Sequence, residues 1–473
     1  MNIFSTLFDI CIAIANWFWG LPILFLIGGG GLYISFRLGF IQVRKIKYIC
    51  SQTFGSMFKK NSDGKISSFG AACSALGACI GASNVVGVPV AIALGGPGAI
   101  FWMWIIAIVG CATKYTEIAL CLKYRTKNSK GEWTGSSYSY IKELFGGKKL
   151  GYCIAITGSF LMMLQILPSL GVQSVSAVSQ LSVFHVNSSV VGIILTIVIT
   201  LIVFGGIKRI AKIMELTVPF MAALYVLGVF AILCMNAQNI IPSFVSIFTY
   251  ALKPYAAVGG FAGSTVAMTI RWGCARGVYS NEAGFGSAPT AHCTAEVDHP
   301  IRQAMWGVFE VIVDTLVICT ATALAVLSTG VWKETGYDSG ALAQAAFHNS
   351  FGVLGDYFVA ISVTLFVITT VTMLIFYAER QAEWLFHSTK AAFVIRIVAL
   401  ILMLITTFGM ELTAIIQLTD FFSVLFIIPN MLAVILLVSQ VAELQKEFFN
   451  TPGKYYLADV AEKEARKLQK KKQ

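Results

Sequence analysis

Six stretches of the chain, 16–36, 98–113, 190–206, 216–235, 357–375 and 421–440, contain no Asp, Glu, Lys or Arg. About 20 apolar residues in a helix cross a bilayer core, so runs of this kind bound the fold before anything else is read. Of 473 residues 57% are hydrophobic and only 12% charged, against roughly 25% charged in an ordinary soluble domain. A soluble protein that apolar could not cover its surface. The fold class is therefore an all-α membrane protein, with lipid as its surroundings.

The formal charge of +11 raises nucleic acid as a partner, and the placement of the charges argues against it. Lys and Arg sit mostly in short loops between apolar runs and in the tail 463–473. That is the positive-inside pattern of a membrane protein, and the tail reads as a solvated face near anionic lipid. The eleven Cys are scattered without a C-x-x-C pair, and the five His are dispersed. Neither a disulfide framework nor a zinc site is expected. The first basic residue is Arg37, after the first apolar run. A signal peptide would carry a basic start, so the first span is expected to stay in the mature protein.

Eleven spans are predicted: 16–36, 67–94, 98–122, 151–181, 190–205, 216–235, 259–297, 305–328, 352–377, 393–407 and 412–438. Basic clusters at 37–47, 123–149, 208–212 and 380–390 then fall on one side, taken as cytoplasmic, with the N-terminus outside and the C-terminus inside. Eleven is one plus ten. The division predicted is an N-terminal extra helix with an interfacial segment (1–66), a first five-helix repeat (67–236), a second, inverted repeat with outer loop helices (237–438), and a charged tail (439–473). Inverted repeats build many secondary carriers.

The first member of each half is interrupted. The second span contains Gly77-Ala78-Cys79-Ile80-Gly81-Ala82-Ser83-Asn84-Val85-Val86-Gly87-Val88-Pro89. Gly disfavours a helix interior, and Pro89 removes a backbone donor. Unwound here, the chain exposes amides at a half-helix N-terminus that suit a carboxylate, and carbonyls that suit a cation. Close helix packing would use the same small residues. The seventh span carries Ser280-Asn281-Glu282, expensive at membrane depth unless it lines a cavity. Glu282 is expected to pair with Arg276 or Arg271, with cation or proton coupling as the alternative.

Residues 95–110, Gly-Gly-Pro-Gly-Ala-Ile-Phe-Trp-Met-Trp-Ile-Ile-Ala-Ile-Val-Gly, together with Ser280-Asn281-Glu282-Ala283-Gly284, Asp314-Thr315, Cys319-Thr320 and Pro429-Asn430, resemble the alanine/glycine:cation symporters (the sodium:alanine symporter family). The resemblance covers nearly the whole chain. It implies a leucine-transporter-like fold with a five-plus-five inverted repeat, and sodium-coupled (more rarely proton-coupled) uptake of alanine or glycine. It implies no cofactor beyond sodium as coupling ion. It also places substrate contacts at Gly81, Ala82, Ser83, Gln173, Val278, Ser280 and Leu374. Its sodium ligands fall on Gly77, Ile80, Asn84, Thr369 and Thr370; sodium is a hard cation that prefers such oxygens. Hydroxyl back-bonding within the helix is the plainer role for Thr369 and Thr370.

Several positions depart from the family pattern. The first break has Ala82-Ser83 in place of Thr-Gly, Pro89 replaces a small residue, Val175 replaces an Asn, and Met373-Leu374 replaces Gly-Trp. Loss of the indole frees volume, so a pocket reshaped for another amino acid is the alternative. An ion channel would lack the paired breaks. No nucleophile, metal or phosphate-loop motif supports an enzyme. Phe101, Trp102 and Trp104 read as an interfacial aromatic belt or as packing near the site, and 339–351 as a short outer helix able to cover it.

Overall fold

The computed structural model describes residues 3–57, 65–128, 131–256, 263–334, 337–409 and 412–472. In chain order its main helices are α1 (Ile3–Phe18), α2 (Leu21–Arg37), α3 (Ile46–Ser56), α4 (Ser68–Cys79), α5 (Ser83–Gly95), α6 (Ala99–Tyr124), α7 (Lys149–Leu181), α8 (Ser188–Val203) and α9 (Gly206–Met235). They continue as α10 (Ile240–Tyr250), α11 (Val266–Asn281), α12 (Pro289–His292), α13 (Pro300–Thr329), α14 (Leu342–Phe351), α15 (Val353–Phe386), α16 (Thr389–Thr406), α17 (Leu412–Asn450) and α18 (Tyr455–Lys472).

Among the described residues seven helices, α6, α7, α9, α13, α15, α16 and α17, are singly long and apolar enough to cross a membrane. Two bent pairs pass the same test, α1–α2 at 42° and α4–α5 at 48°. The shorter α8 carries no charged residue, and α11 is the sixteen-residue first part of the second interrupted segment. Large apolar side chains are exposed on the outer faces of α8, α9 and α16, including Ile194, Leu201, Leu216, Leu227, Phe230 and Ile401. Such a surface suits hydrocarbon, where only internally satisfied backbones are tolerated.

Several predicted bounds shift outward. The first apolar run begins within a longer helix pair that bends at Trp19–Gly20, with Pro22 in the first turn of α2. Helix α9 starts at Gly206, so Lys208, Arg209 and Lys212 lie on its first turns and not in a loop. Helices α15 and α17 run on to Phe386 and Asn450. Hydropathy marks the part of a helix that lipid surrounds, whereas backbone hydrogen bonding continues past it. The predicted span 259–297 resolves into α11, a non-helical stretch and the short α12; its first residues, 259–262, lie outside the described set.

Helix α6, which carries most of the glycine–tryptophan signature, forms the centre. Every residue from Gly110 to Leu122 is buried. Its entry is tight: a Cβ on Gly98 would lie 2.1 Å from the Tyr250 carbonyl oxygen, and Gly96 has φ +73°. Trp102 Nε1 donates to the Ala251 carbonyl at 2.8 Å, and Trp104 Nε1 to Thr320 Oγ1 at 2.8 Å. The two indoles thus fasten α6 to its neighbours, which is the packing role rather than a lipid belt. The outer segment forms as α14, preceded by a 3₁₀ turn at Ser339–Ala341. A Cβ on Gly340 would lie 3.0 Å from Val86 Cγ1, so this turn lies against α5.

Candidate functional site

Helix α4 starts where the Ser67 hydroxyl accepts from the Gly70 amide at 2.6 Å, an N-cap. The same hydroxyl is hydrogen-bonded to Glu215 of α9. The helix ends at Ile80, whose φ −77° and ψ 93° are extended. Beyond the kink, Ser83–Gly87 is wound as a π-helix, which hands over to the α-helix at Val88-Pro89. Such π-turns concentrate at functional sites. The break therefore lies at Ile80–Ala82, ahead of Pro89.

Two side chains close on this break. Thr370 Oγ1 of α15 lies 2.9 Å from the Gly77 carbonyl oxygen and 3.1 Å from that of Ile80. Gly81 leaves the room: a Cβ there would come 2.9 Å from Thr370 Oγ1 and 3.0 Å from Gln173 Oε1. Thr369 does not join them. Its hydroxyl is 2.8 Å from the Phe366 carbonyl of its own helix and 3.6 Å from Met221 sulfur. Three oxygens, from Gly77, Ile80 and Thr370, thus form a hard-donor set of the kind sodium takes.

The expectation of exposed amides at the first break is not met. The Ala82 amide donates to Gln173 Oε1 at 3.0 Å, and the Gly81 amide to Asn84 Oδ1 at 2.9 Å. Side chains of the protein occupy these donors. Ser83 is half-buried, with Oγ 3.4 Å from Asn84 Oδ1. Val278 and Leu374 are buried. The Val278 carbonyl accepts the Glu282 amide at 2.9 Å, and Leu374 lies one turn beyond Thr370.

Helix α11 stops at Asn281, where Glu282 takes a left-handed φ of 54°. Gly284 and Gly286 follow at φ 95° and 71°, a conformation that glycine adopts at little cost. The expected pairing of Glu282 with Arg276 or Arg271 is not made. Glu282 Oε2 accepts from Ser287 Oγ at 2.5 Å instead, because the left-handed residue turns its carboxylate along the break. Arg276 stacks towards Trp272, and Arg271 reaches Asn16.

A group that sequence reasoning left without a role joins the two breaks. Asp314, in the π-helical segment Ile312–Cys319 of α13, accepts from Asn84 Nδ2 at 2.7 Å and from Ser280 Oγ at 2.8 Å. Thr315 Oγ1 donates to it as well, at 2.8 Å. Asn84 Nδ2 also reaches Ser280 Oγ at 3.0 Å. Asn84, expected among the sodium ligands, is hydrogen-bonded to this carboxylate cluster and not to the Thr370 group. The available signal was an ionisable residue at membrane depth. On the far side of the second break, Glu117 Oε1 accepts from Asn430 Nδ2 at 2.6 Å and from the Gly286 amide at 3.0 Å. This gives the Pro429-Asn430 match a structural role.

Residues 5–459 match the sodium:alanine symporter family. The chain is 43% identical over 451 residues to the uncharacterized transporter YflA of Bacillus subtilis, covering 94% of each chain. It is 36% identical over 441 residues to the sodium/alanine symporter AgcS of Methanococcus maripaludis, covering 91% of this chain and 94% of that one. To the probable sodium/glutamine symporter GlnT of Bacillus subtilis it is 34% identical over 432 residues, covering 91% and 88%. Among solved structures, MhsT in complex with L-phenylalanine superposes with a TM-score of 0.52 at 13% identity, over 81% of this chain and 97% of that chain. An Eremococcus coleocola manganese transporter gives 0.50 at 12%, over 82% and 88%. These likenesses show the fold alone, that of leucine-transporter-like carriers. With its interrupted helices and whole-length match, the chain belongs to the sodium:alanine symporter family, a family of transporters and not of enzymes.

Proposed function

We propose that the chain is a secondary active symporter that couples sodium influx to uptake of a small neutral amino acid, alanine or glycine, by alternating access. The observation that carries this is the Thr370 hydroxyl set against the Gly77 and Ile80 carbonyls at the first break. Those oxygens belong to two helices, so a cation bound among them favours the arrangement that brings the helices together. Binding energy spent on closure in this way is what couples an ion to a conformational change. Thr369 would complete the set by a change of χ1, since its hydroxyl is now bonded within its own helix. The substrate would sit beside the break, where Gly81, Ala82, Ser83, Gln173, Val278, Ser280 and Leu374 are the residues assigned to it.

In this reading the seven single spans, the two bent pairs, α8 and the α11–α12 segment make eleven crossings. One N-terminal helix precedes two inverted five-helix repeats, divided as 67–236 and 237–438. The basic ends face the cytoplasm, the N-terminus lies outside, and the carrier sits in the inner membrane of a prokaryote in contact with lipid. A proton replaces sodium in the variant reading.

A second substrate reading is favoured by Val175 and Leu374, which stand where the family pattern has Asn and Trp. A pocket relieved of an indole suits a larger amino acid, and one relative is named a probable sodium/glutamine symporter. The test is uptake of each common radiolabelled amino acid into proteoliposomes under a sodium gradient, and under a pH gradient without sodium. Saturable alanine or glycine uptake that collapses without sodium supports the first reading. Glutamine or another larger solute as best substrate supports the second. Ion current without substrate rejects both.

A further inference from the structure

A second polar cluster is buried beside the start of α4, among groups that the site above does not use. His292 ends α12, and its Nε2 lies 2.5 Å from Glu310 Oε1 of α13. Glu310 Oε2 is 3.0 Å from Lys114 Nζ of α6. On the other side of the ring, His292 Nδ1 lies 2.8 Å from Gln303 Nε2, and the same Gln303 nitrogen reaches the Ser68 carbonyl at 3.1 Å. Lys114, His292, Gln303 and Glu310 are each 0% exposed. A carbonyl only accepts, so the Gln303 atom that serves Ser68 is the amide nitrogen. His292 Nδ1 then accepts the second hydrogen of that nitrogen, and Nε2–H donates to Glu310. The ring is neutral in this arrangement, with its acceptor nitrogen towards Gln303. Gln303 Oε1 is left buried with no hydrogen-bond partner.

Two observations mark Nδ1 as a seat for a proton. The first is the orphaned Gln303 oxygen. A proton on Nδ1 would face the amide nitrogen donor to donor, and a half-turn of the amide brings Oε1 to it instead. That turn gives the buried oxygen a charge-assisted partner and releases the Ser68 carbonyl in the first turn of α4. The second is charge. Glu310 and Glu282 both act on the one ammonium of Lys114, so the cluster accommodates one further positive charge. From α4 come Cys73 and Cys79, from α15 Tyr377, and from α6 also Cys121, which meets Cys293 beside His292. These thiols and the phenol are uncharged near neutrality. Arg125, just past α6, is taken up by the Cys293 and Ala295 carbonyls. Water reaches the edge of the cluster: Ser68 lines a cavity of about 530 Å³ together with Gln52 of α3, Asp459 of α18, and Arg302 and Trp306 of α13. Gln303 touches both Ser68, on the cavity wall, and His292 behind it.

We infer that His292 is a proton-binding site: a proton from the cavity binds at Nδ1, Gln303 turns to hold it and lets go of the Ser68 carbonyl, and proton occupancy sets the turnover of transport. Imidazole is the side chain whose unperturbed charge change falls between about pH 5 and 8, so the site responds in the range a cell experiences. The effect on turnover rests on the reading of the chain as a carrier, whereas the proton site itself does not.

Nitrogen-15 NMR of the histidine-labelled full chain in lipid nanodiscs reads the site directly. The His292 signal is identified by its loss in His292→Gln or, should that variant not fold, by its displacement in Gln303→Glu. At high pH it is expected as the Nε2–H tautomer, with Nδ1 taking up a proton at a midpoint between about pH 5 and 8. Gln303→Glu, which sets a carboxylate opposite Nδ1, should raise that midpoint by about one unit or more. Sodium-driven uptake into proteoliposomes, with pH equal on both sides, supplies the second reading. The native rate should change about threefold or more between about pH 5.5 and 8, and His292→Gln should stay within about 1.5-fold across that range. Gln303→Glu should move the native profile towards higher pH by the same amount as the NMR midpoint. A His292 ring that keeps one tautomer throughout, or a native pH profile retained in His292→Gln, overturns the inference. Absence of sodium-driven uptake at every pH would end the carrier reading, and the titration alone would then decide the proton site.

Discussion

Gln173 Oε1 accepts the Ala82 amide hydrogen at 3.0 Å across the first break, so a side chain of α7 holds one of the backbone donors that a substrate carboxylate would use. Gln173→Ala leaves that buried amide without its partner, which costs about 1–3 kcal/mol, and removes the only side-chain hydrogen bond between α7 and the first break among the described residues. The substrate KM is expected to rise about tenfold, with sodium half-saturation moving less than about threefold. Uptake kinetics at fixed sodium, then at fixed substrate, separate the two. Equal losses in both would mean that Gln173 acts on the whole break and not on the substrate.

Thr370 touches the carbonyls of both Gly77 and Ile80. Thr370→Ala removes one of three oxygens and leaves the other two, so sodium half-saturation is expected to rise about tenfold, close to 1.4 kcal/mol. Thr370→Ser keeps the oxygen and should stay within about threefold of the native value. Thr369→Ala should be milder than Thr370→Ala, since that hydroxyl is satisfied within its own helix. Sodium titration of substrate uptake checks all three, and an unchanged sodium response in Thr370→Ala would remove this residue from the cation site.

Asp314 accepts from donors on both interrupted segments, Asn84 and Ser280, and from Thr315 beside it. Asp314→Asn replaces one acceptor oxygen with an amide that faces donors, so at least one buried group loses its partner at about 1–3 kcal/mol. Uptake per folded molecule should fall about 100-fold. Thr315→Ala removes one donor of three and also leaves Asn281 Nδ2, 3.1 Å away, without its acceptor, so its loss should lie between the native rate and that of Asp314→Asn. Initial rates normalised to the monodisperse fraction on size exclusion provide the comparison. Native rates in Asp314→Asn would show the carboxylate to be dispensable.

The parts of this architecture that were legible in the sequence are those written locally. Runs of apolar residues mark the spans and glycines mark both interruptions, while Thr369 and Thr370 come from the family resemblance alone. What was not legible depends on partners from distant helices. Lys114 lies in a span that reads as apolar, and its partners Asn281 and Glu310 come from other elements. No periodicity announces such a meeting. Glu282 was matched to the nearest arginines in sequence, but its left-handed backbone directs the carboxylate to Ser287. Asn84 stands beside the carbonyls assigned to sodium, yet its amide turns to Asp314, because a π-helical stretch rotates the chain there.

His299 precedes α13 and caps it, Nδ1 accepting from the Ile301 amide at 3.1 Å. Burial holds its pKa below the ordinary 6.5, against the pull of Glu447 and Asp298. The fold therefore favours the neutral ring. The contribution to stability is complete above the ordinary value and is lost as pH falls through it towards the lower folded value. The melting temperature of the purified protein should drop over this window, and His299→Gln should flatten that part of the profile. A native profile retained in His299→Gln would assign the drop to other groups.

Gly81 is the position at which side chains of two helices, Thr370 of α15 and Gln173 of α7, close on the first break. A methyl group there would approach Thr370 Oγ1 to 2.9 Å and Gln173 Oε1 to 3.0 Å, tighter than side chains pack. Thr370 cannot retreat without leaving the Gly77 and Ile80 carbonyls, and Gln173 cannot without releasing the Ala82 amide. Gly81→Ala should therefore combine the losses of Thr370→Ala and Gln173→Ala, raising both sodium half-saturation and substrate KM by about tenfold each. Gly81 lies in the non-helical break beyond Cys79, so no helix-propensity gain offsets the crowding, which costs about 1–3 kcal/mol, and the melting temperature should fall together with transport. Kinetics and melting temperature measured on one preparation test the pair of effects. Transport that survives Gly81→Ala would mean that Thr370 and Gln173 do not close on the break during the cycle.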